Sequence, residues 1–187
     1  MMDLRKAEHE DLAFLVDIDL KNDGYSDVAT PPMTRDEQEQ HRSKIQSFLT
    51  DPDRGAYLFT ERATGKRIGM IMYSIANVDM AYPWKTIYNE LDREWFQADG
   101  RVLEIFGLWV HPAFRRRGLA TALKRTLEDE AAIRGVDTIY THTEERNHHV
   151  IALNEKLGYR EVRRGPIWDE IVRVSLIKRL GGFRPSH

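Results

Sequence analysis

The chain has no cysteine among its 187 residues. That excludes a disulfide scaffold, a thiolate zinc site and a cysteine nucleophile. No apolar run is long enough to cross a bilayer. The opening Met1-Met2-Asp3-Leu4-Arg5-Lys6 lacks the apolar stretch of a secretory signal. Neither sign of charge dominates: 28 Lys and Arg against 30 Asp and Glu leave a formal net charge of -2. There is thus no general electrostatic pull toward nucleic acid or a membrane surface. Repeats and low-complexity tracts are absent as well. The expectation is a cytoplasmic α/β protein folded as one domain over 1–187, with no nucleic-acid and no membrane partner.

What is present centres on one junction. Val102 to Val110 is an apolar run with a single charge, Glu104, and reads as a buried strand. Pro112 ends it. From Gly118 the period changes: Leu119, Leu123, Leu127 and Ala131 recur at i+4, on one face of a helix. Between the two lies Arg115-Arg116-Arg117-Gly118. A helix N-terminus offers unpaired N–H groups and a partial positive charge, glycine lets backbone come close to a ligand, and arginine adds bidentate donors. The loop suits a phosphate. A solvated basic turn has the same composition.

Arg115-x-x-Gly118-x-Ala120 resembles the Gln/Arg-x-x-Gly-x-Gly/Ala signature of the GNAT superfamily of acyl-CoA-dependent N-acyltransferases. Asn147 to Tyr159, which ends in Leu157-Gly158-Tyr159, is similar to that family's fourth-helix motif. The resemblance covers Leu103 to Tyr159. It implies a mixed α/β sheet of about seven strands flanked by helices, and an acetyl-CoA-dependent N-acetyltransferase acting on a primary amine. It also implies that Leu108, Trp109 and Val110 contact the pantetheine arm of acetyl-CoA. Arg115, Arg116, Arg117, Gly118, Leu119, Ala120 and Thr121 would hold the pyrophosphate, and Asn147 would bind the pantetheine side. A non-catalytic acyl-CoA-binding domain is the alternative.

Before the junction, a weakly marked first strand over 2–7 precedes a helix from Glu8 to Lys21, stopped by Gly24. A second helix starts at the capping box Thr34–Glu37 and runs to about Leu49. Two strands, 56–61 and 67–75, read as an antiparallel hairpin. Residues 76–100 are long for a connection. Tyr88, Leu91 and Trp95 recur there at helical spacing, which predicts a helical insertion. Its aromatic stripe is read as core filler, with a homodimer interface or a lid over the acceptor as the other readings. After the junction, Gly135 ends the helix and Thr138–Thr143 forms a parallel strand. A helix from Asn147 to Gly158, with Asn147 as cap, and strands over 159–163 and 170–178 complete the chain. The tail is 181–187.

Amine attack on a thioester needs a base, donors for the carbonyl oxygen and a proton for the departing sulfur. Glu104 is the first candidate for base, as the lone ionisable group of its strand. Its spacing to Gly118 matches the glutamate of the histone-acetyltransferase branch. His142, on the neighbouring strand, is the second. Asn154 stands where many family members carry the tyrosine that protonates the sulfur. An asparagine can donate a hydrogen bond but is no acid. His148 and His149 are adjacent, so they do not share a helix face; no metal site is expected. Asp19, Asp23, Tyr25 and Asp27 suggest a cationic acceptor.

Overall fold

The computed structural model describes residues 1–22 and 31–182. The strands are β1 (Met2–Lys6), β2 (Arg54–Glu61), β3 (Arg67–Asn77), β4 (Arg101–Val110), β5 (Thr138–Glu144), β6 (Arg160–Gly165) and β7 (Arg173–Arg179). The α-helices are α1 (Leu12–Asn22), α2 (Arg35–Thr50), α3 (Leu119–Ile133) and α4 (His148–Lys156). The strands form one mixed seven-stranded sheet in the order β1-β2-β3-β4-β5-β7-β6. Contacts divide the chain into two compact units, 1–74 with 106–123 and 75–105 with 124–187, so the division falls inside β3, β4 and α3.

In the first unit, β1, β2 and β3 form an antiparallel meander. The capping box forms as the sequence predicts: Glu37 N–H donates to Thr34 Oγ1 at 3.2 Å, and Thr34 N–H donates to Glu37 Oε2 at 2.7 Å. Helix α2 buries only Ile45 and Phe48, against α1's Leu12, Leu15 and Ile18 and β3's Met70 and Met72. The expected stop at Gly24, and Asp23, Tyr25 and Asp27, lie outside the described residues.

In the second unit, β5 runs parallel to β4 through the pairs Leu103↔Ile139 and Glu104↔Tyr140. The ladder ends there, although β4 continues to Val110 and β5 to Glu144. On its other edge β5 pairs with β7 along its whole length. Gly135 takes φ +69 and Val136 N–H reaches Ala131 O at 2.8 Å, which closes α3 as a C-terminal glycine does.

The insertion departs from expectation. It holds no α-helix, only single 3₁₀ turns at Tyr88–Glu90 and Arg93–Trp95. Leu91 and Asp92 are extended, with ψ of 149° and 127°, and Asp92's side chain accepts from Glu94 N–H. Aspartate that caps a fresh turn competes with helix continuation. The helical spacing of Tyr88, Leu91 and Trp95 thus records burial without a helix: Tyr88 and Leu91 are buried with Ile87 and Phe96, while Trp84 is 57% exposed.

Candidate active site

The first unit carries the junction loop. His111 N–H pairs with Ile68 O at 2.8 Å, tying the end of β4 to β3. His111 Nδ1 then accepts from Ala113 N–H at 3.1 Å and starts a 3₁₀ turn at Pro112. Arg115 Nε returns to Val110 O at 3.3 Å, and Arg117 lies 5.1 Å over the Phe114 ring. Arg116 has φ +61 and Gly118 φ +80. Arg116 is the only non-glycine described residue at positive φ, a costly conformation for a side chain with a Cβ. A Cβ on Gly118 would meet nothing within 4 Å. The glycine is therefore required by its φ, and the space it faces is open. Arg115, Arg116, Arg117 and Gly118 are exposed, and Leu119 is buried as the first rung of α3. The first helical acceptor, Gly118 O, is taken by Ala122 N–H at 3.0 Å. By helix geometry the N–H groups of Leu119, Ala120 and Thr121 point out of the N-terminus. Leu108, Trp109 and Val110 are half-buried at the end of β4, with the Trp109 ring edge-on to Phe14 at 5.8 Å.

The second unit carries the titratable groups. Cross-strand partners share a face of a sheet. Glu104 pairs with Tyr140 and His142 with Ser175, so all four side chains stand on one face. The Tyr140 hydroxyl lies 3.1 Å from Ser175 Oγ and 3.3 Å from His142 Nδ1. Burial pushes the Tyr140 hydroxyl's pKa well above its usual range, and the Ser175 hydrogen bond only partly offsets that. Burial, then the charge of Arg173, pulls His142 down to about 4, so at neutral pH the imidazole is uncharged. Trp168, 57% exposed, sets its ring 5.3 Å from His142. Arg173 lies 4.1 Å over Trp168 and is held by Asp169. Glu104 is half-buried.

Asn154 is 1% exposed in α4, and its Oδ1 is buried without a hydrogen-bond partner among the described residues. Asn147 occupies the N-cap position of α4, but its side chain makes no cap bond. Nδ2 instead donates to Thr143 Oγ1 at 3.1 Å, which fastens the helix entrance to β5. His148 and His149 are exposed. Asp19 is buried and lies 2.7 Å from His41 Nε2. Sequence reasoning missed Tyr140, Ser175, Trp168 and Arg173. Only Tyr140 had a signal, its two-residue spacing from His142 on one strand.

A mixed seven-stranded sheet flanked by helices, with an Arg-Gly loop leading from β4 into α3, defines an α/β protein. The model of the acetyltransferase (GNAT) family matches residues 21–159, and the chain belongs to that family. An acetyltransferase of Pectobacterium atrosepticum is 42% identical over 64 residues, 34% of this chain. The match spans 45% of that relative's length. Among solved structures, Arabidopsis thaliana NAA60 in complex with a bisubstrate analogue superposes with a TM-score of 0.73 at 18% identity, covering 98% of this chain and all of that one. The ribosomal-protein-S18-alanine N-acetyltransferase of Escherichia coli gives 0.62 at 17% identity, over 100% and 99% of the two chains.

Proposed function

We propose that this protein transfers an acetyl group from acetyl-CoA to a primary amine by direct attack on the thioester, within a single domain. The observation that carries the reading is the early end of the β4–β5 ladder at Glu104–Tyr140, with the open Gly118 loop following on the same chain. Backbone groups of β4 beyond Glu104 are suited to strand-like pairing with a pantetheine arm. The N–H groups at the start of α3 suit its pyrophosphate.

The chain's own residues then meet the chemical demands. Glu104, directly or through one water, takes the proton of the attacking amine. His142, held neutral, serves as a hydrogen-bonding wall, because a base with pKa near 4 captures an amine proton poorly. Val110 N–H is the donor that the family resemblance assigns to the carbonyl oxygen as it gains charge. Asn154 offers a buried acceptor, Oδ1, to the S–H of the CoA product. The thiolate, with a pKa of about 8.5, leaves unassisted and afterwards takes a proton from water, which forms the S–H that Asn154 Oδ1 accepts. Two neighbours that carry this fold are named for acetylating the alanine of ribosomal protein S18 and for acetylating spermidine or spermine. Either acceptor presents a primary amine.

The test is thiol release from acetyl-CoA with a panel of primary amines, run beside calorimetry with acetyl-CoA alone. Binding with amine-dependent release is the expected result. Binding without release under any amine would leave the carrier reading that Asn154 favours.

A further inference from the structure

Resting on that reading, we infer that Ser175 and Tyr140 hold the His142 imidazole with its proton on Nε2, and that this N–H receives a carbonyl oxygen carried beside the acceptor's amine. The substrate class is then the α-amino amides, rather than bare alkylamines or polyamines. Proton count decides the tautomer. Ser175 is fully buried, and among the described residues its Oγ meets only the Tyr140 hydroxyl, at 3.1 Å. Tyr140 is 4% exposed, and its hydroxyl also reaches His142 Nδ1 at 3.3 Å. Each hydroxyl has one proton to give. If Nδ1 gave a proton to Tyr140, the proton of either Ser175 or Tyr140 would be left buried with no acceptor, which is costly. One arrangement uses every buried donor. Ser175 gives to Tyr140, Tyr140 gives to Nδ1, and the imidazole proton sits on Nε2.

The surroundings keep the proton there. Tyr88 packs edge-on against Tyr140, with ring centroids 5.9 Å apart, so the Tyr140 hydroxyl stays aimed. Charging the imidazole would put a second proton on Nδ1, against the Tyr140 donor. Burial and the Arg173 charge oppose it as well and hold the pKa at about 4. His142 is only half-buried, and its Nε2 has no partner among the described residues and is not a buried atom, so it is open to a ligand. It stands two residues beyond Tyr140, the partner of Glu104 in the last rung of the β4–β5 ladder. On their shared face it is therefore about 7 Å further along the strand than Glu104. An N–H aimed at the reacting nitrogen would occupy its lone pair and slow the attack. The donor therefore suits a second atom of the acceptor. A carbonyl on the carbon next to the amine-bearing one lets a single molecule meet Glu104 with its nitrogen and His142 with its oxygen.

Long-range proton–nitrogen NMR correlation on histidine-labelled protein reads the tautomer, with the His142 signals assigned by their loss in His142→Gln. At pH 7 the ring should be bare at Nδ1 and protonated at Nε2, and Ser175→Ala should let the second tautomer appear. A proton on Nδ1 in the wild type, or no change in Ser175→Ala, would overturn the inference and leave the acetyltransferase reading untouched. Kinetics test the contact. Alanine amide and butan-2-amine have nearly one shape, but only the first carries a carbonyl, and the wild type should favour it. Tyr140→Phe keeps the ring packing and releases the imidazole. It should raise KM for alanine amide about three- to tenfold and leave the calorimetric Kd for acetyl-CoA unchanged. Equal turnover of the two amines by the wild type, or an unchanged KM for alanine amide in the variant, would overturn the inference alone. A wild type that acetylates no amine, even with the proton on Nε2, would sink the acetyltransferase reading and the carbonyl contact together.

Discussion

Lys124 is a charged side chain in a place built for an apolar one. It follows the buried Leu123 on α3, is 1% exposed, and puts Nζ 4.8 Å above the Tyr159 ring. Burial lowers its pKa from 10.5 to about 8; Glu128 resists the shift and Lys178 adds to it. The folded pKa lies below the unfolded one, so between about pH 8 and 10 the unfolded chain holds more protons and stability rises with pH. Below that window the full penalty stands. Lys124→Met should raise stability at pH 7 by about 2 kcal/mol, somewhat less than the shift implies because the contact with Tyr159 goes. Urea denaturation at pH 7 and pH 9.5 should show the wild type gaining stability and the variant not. Glu104 is the base of the proposed mechanism. Glu104→Gln keeps the shape and removes the base. The rate should drop by about 10²–10⁴ at neutral pH. The loss should shrink at high pH, where more amine is already neutral, and acetyl-CoA affinity should hold. Wild-type rates across the pH range would remove Glu104 from the mechanism.

Elements are joined by a few polar ties that local pattern does not reveal. Asp11, fully buried, receives Arg5 from β1 at 2.7 Å and Arg67 from β3 at 2.7 Å, and accepts Glu8 N–H at 2.8 Å. Burial opposes its charge, but the hydrogen bonds from Arg5, Glu8 N–H and Arg67 outweigh it and hold the pKa at about 2. A carboxylate whose folded pKa is depressed stabilises above its unfolded value, and that contribution fades as pH falls from about 4 toward 2. Asp11→Asn strands two arginines and should cost about 3 kcal/mol at pH 7. Guanidinium titrations at pH 7 and pH 3 should show the gap between wild type and variant narrowing in acid. The loop before α3 makes a different demand. Gly118→Ala adds a Cβ that touches nothing but must hold φ +80. It should cost about 1 kcal/mol of stability. It should also weaken acetyl-CoA binding, since relaxing that φ turns the N–H groups away. A folded variant with unchanged affinity would detach this loop from the cofactor.

At the scale of the whole molecule, the near-zero net charge gives no long-range steering, so recognition rests on local groups. No described helix is long and apolar enough to cross a membrane. Ligand binding offers the broadest test. Acetyl-CoA at a hundredfold its Kd should stabilise the fold by about 2.7 kcal/mol through mass action. Hydrogen exchange should slow most at the amides of β4 beyond Glu104 and at residues 115–121. Protection elsewhere, with none in those stretches, would place the cofactor at a different surface.

The order of elements, the Thr34–Glu37 cap, the glycine after α3 and the buried stripe Leu119, Leu123, Leu127 and Ala131 were legible in the sequence. Each depends on neighbours within a few positions, where period and capping chemistry speak directly. The insertion shows the limit of period. Tyr88, Leu91 and Trp95 repeat as a helix would, yet the backbone extends at Leu91 and Asp92, because burial against β4 and β5 chose the positions and a side-chain cap chose the turns. Asn147 marked the helix start, but its side chain turned to Thr143, a partner that exists only once β5 is in place. The Ser175–Tyr140–His142 chain and the burial of Lys124 and Asp11 were decided by tertiary structure alone. Each joins residues far apart in sequence, and desolvation, which sets their energies, is a property of the packed fold rather than of any stretch of chain.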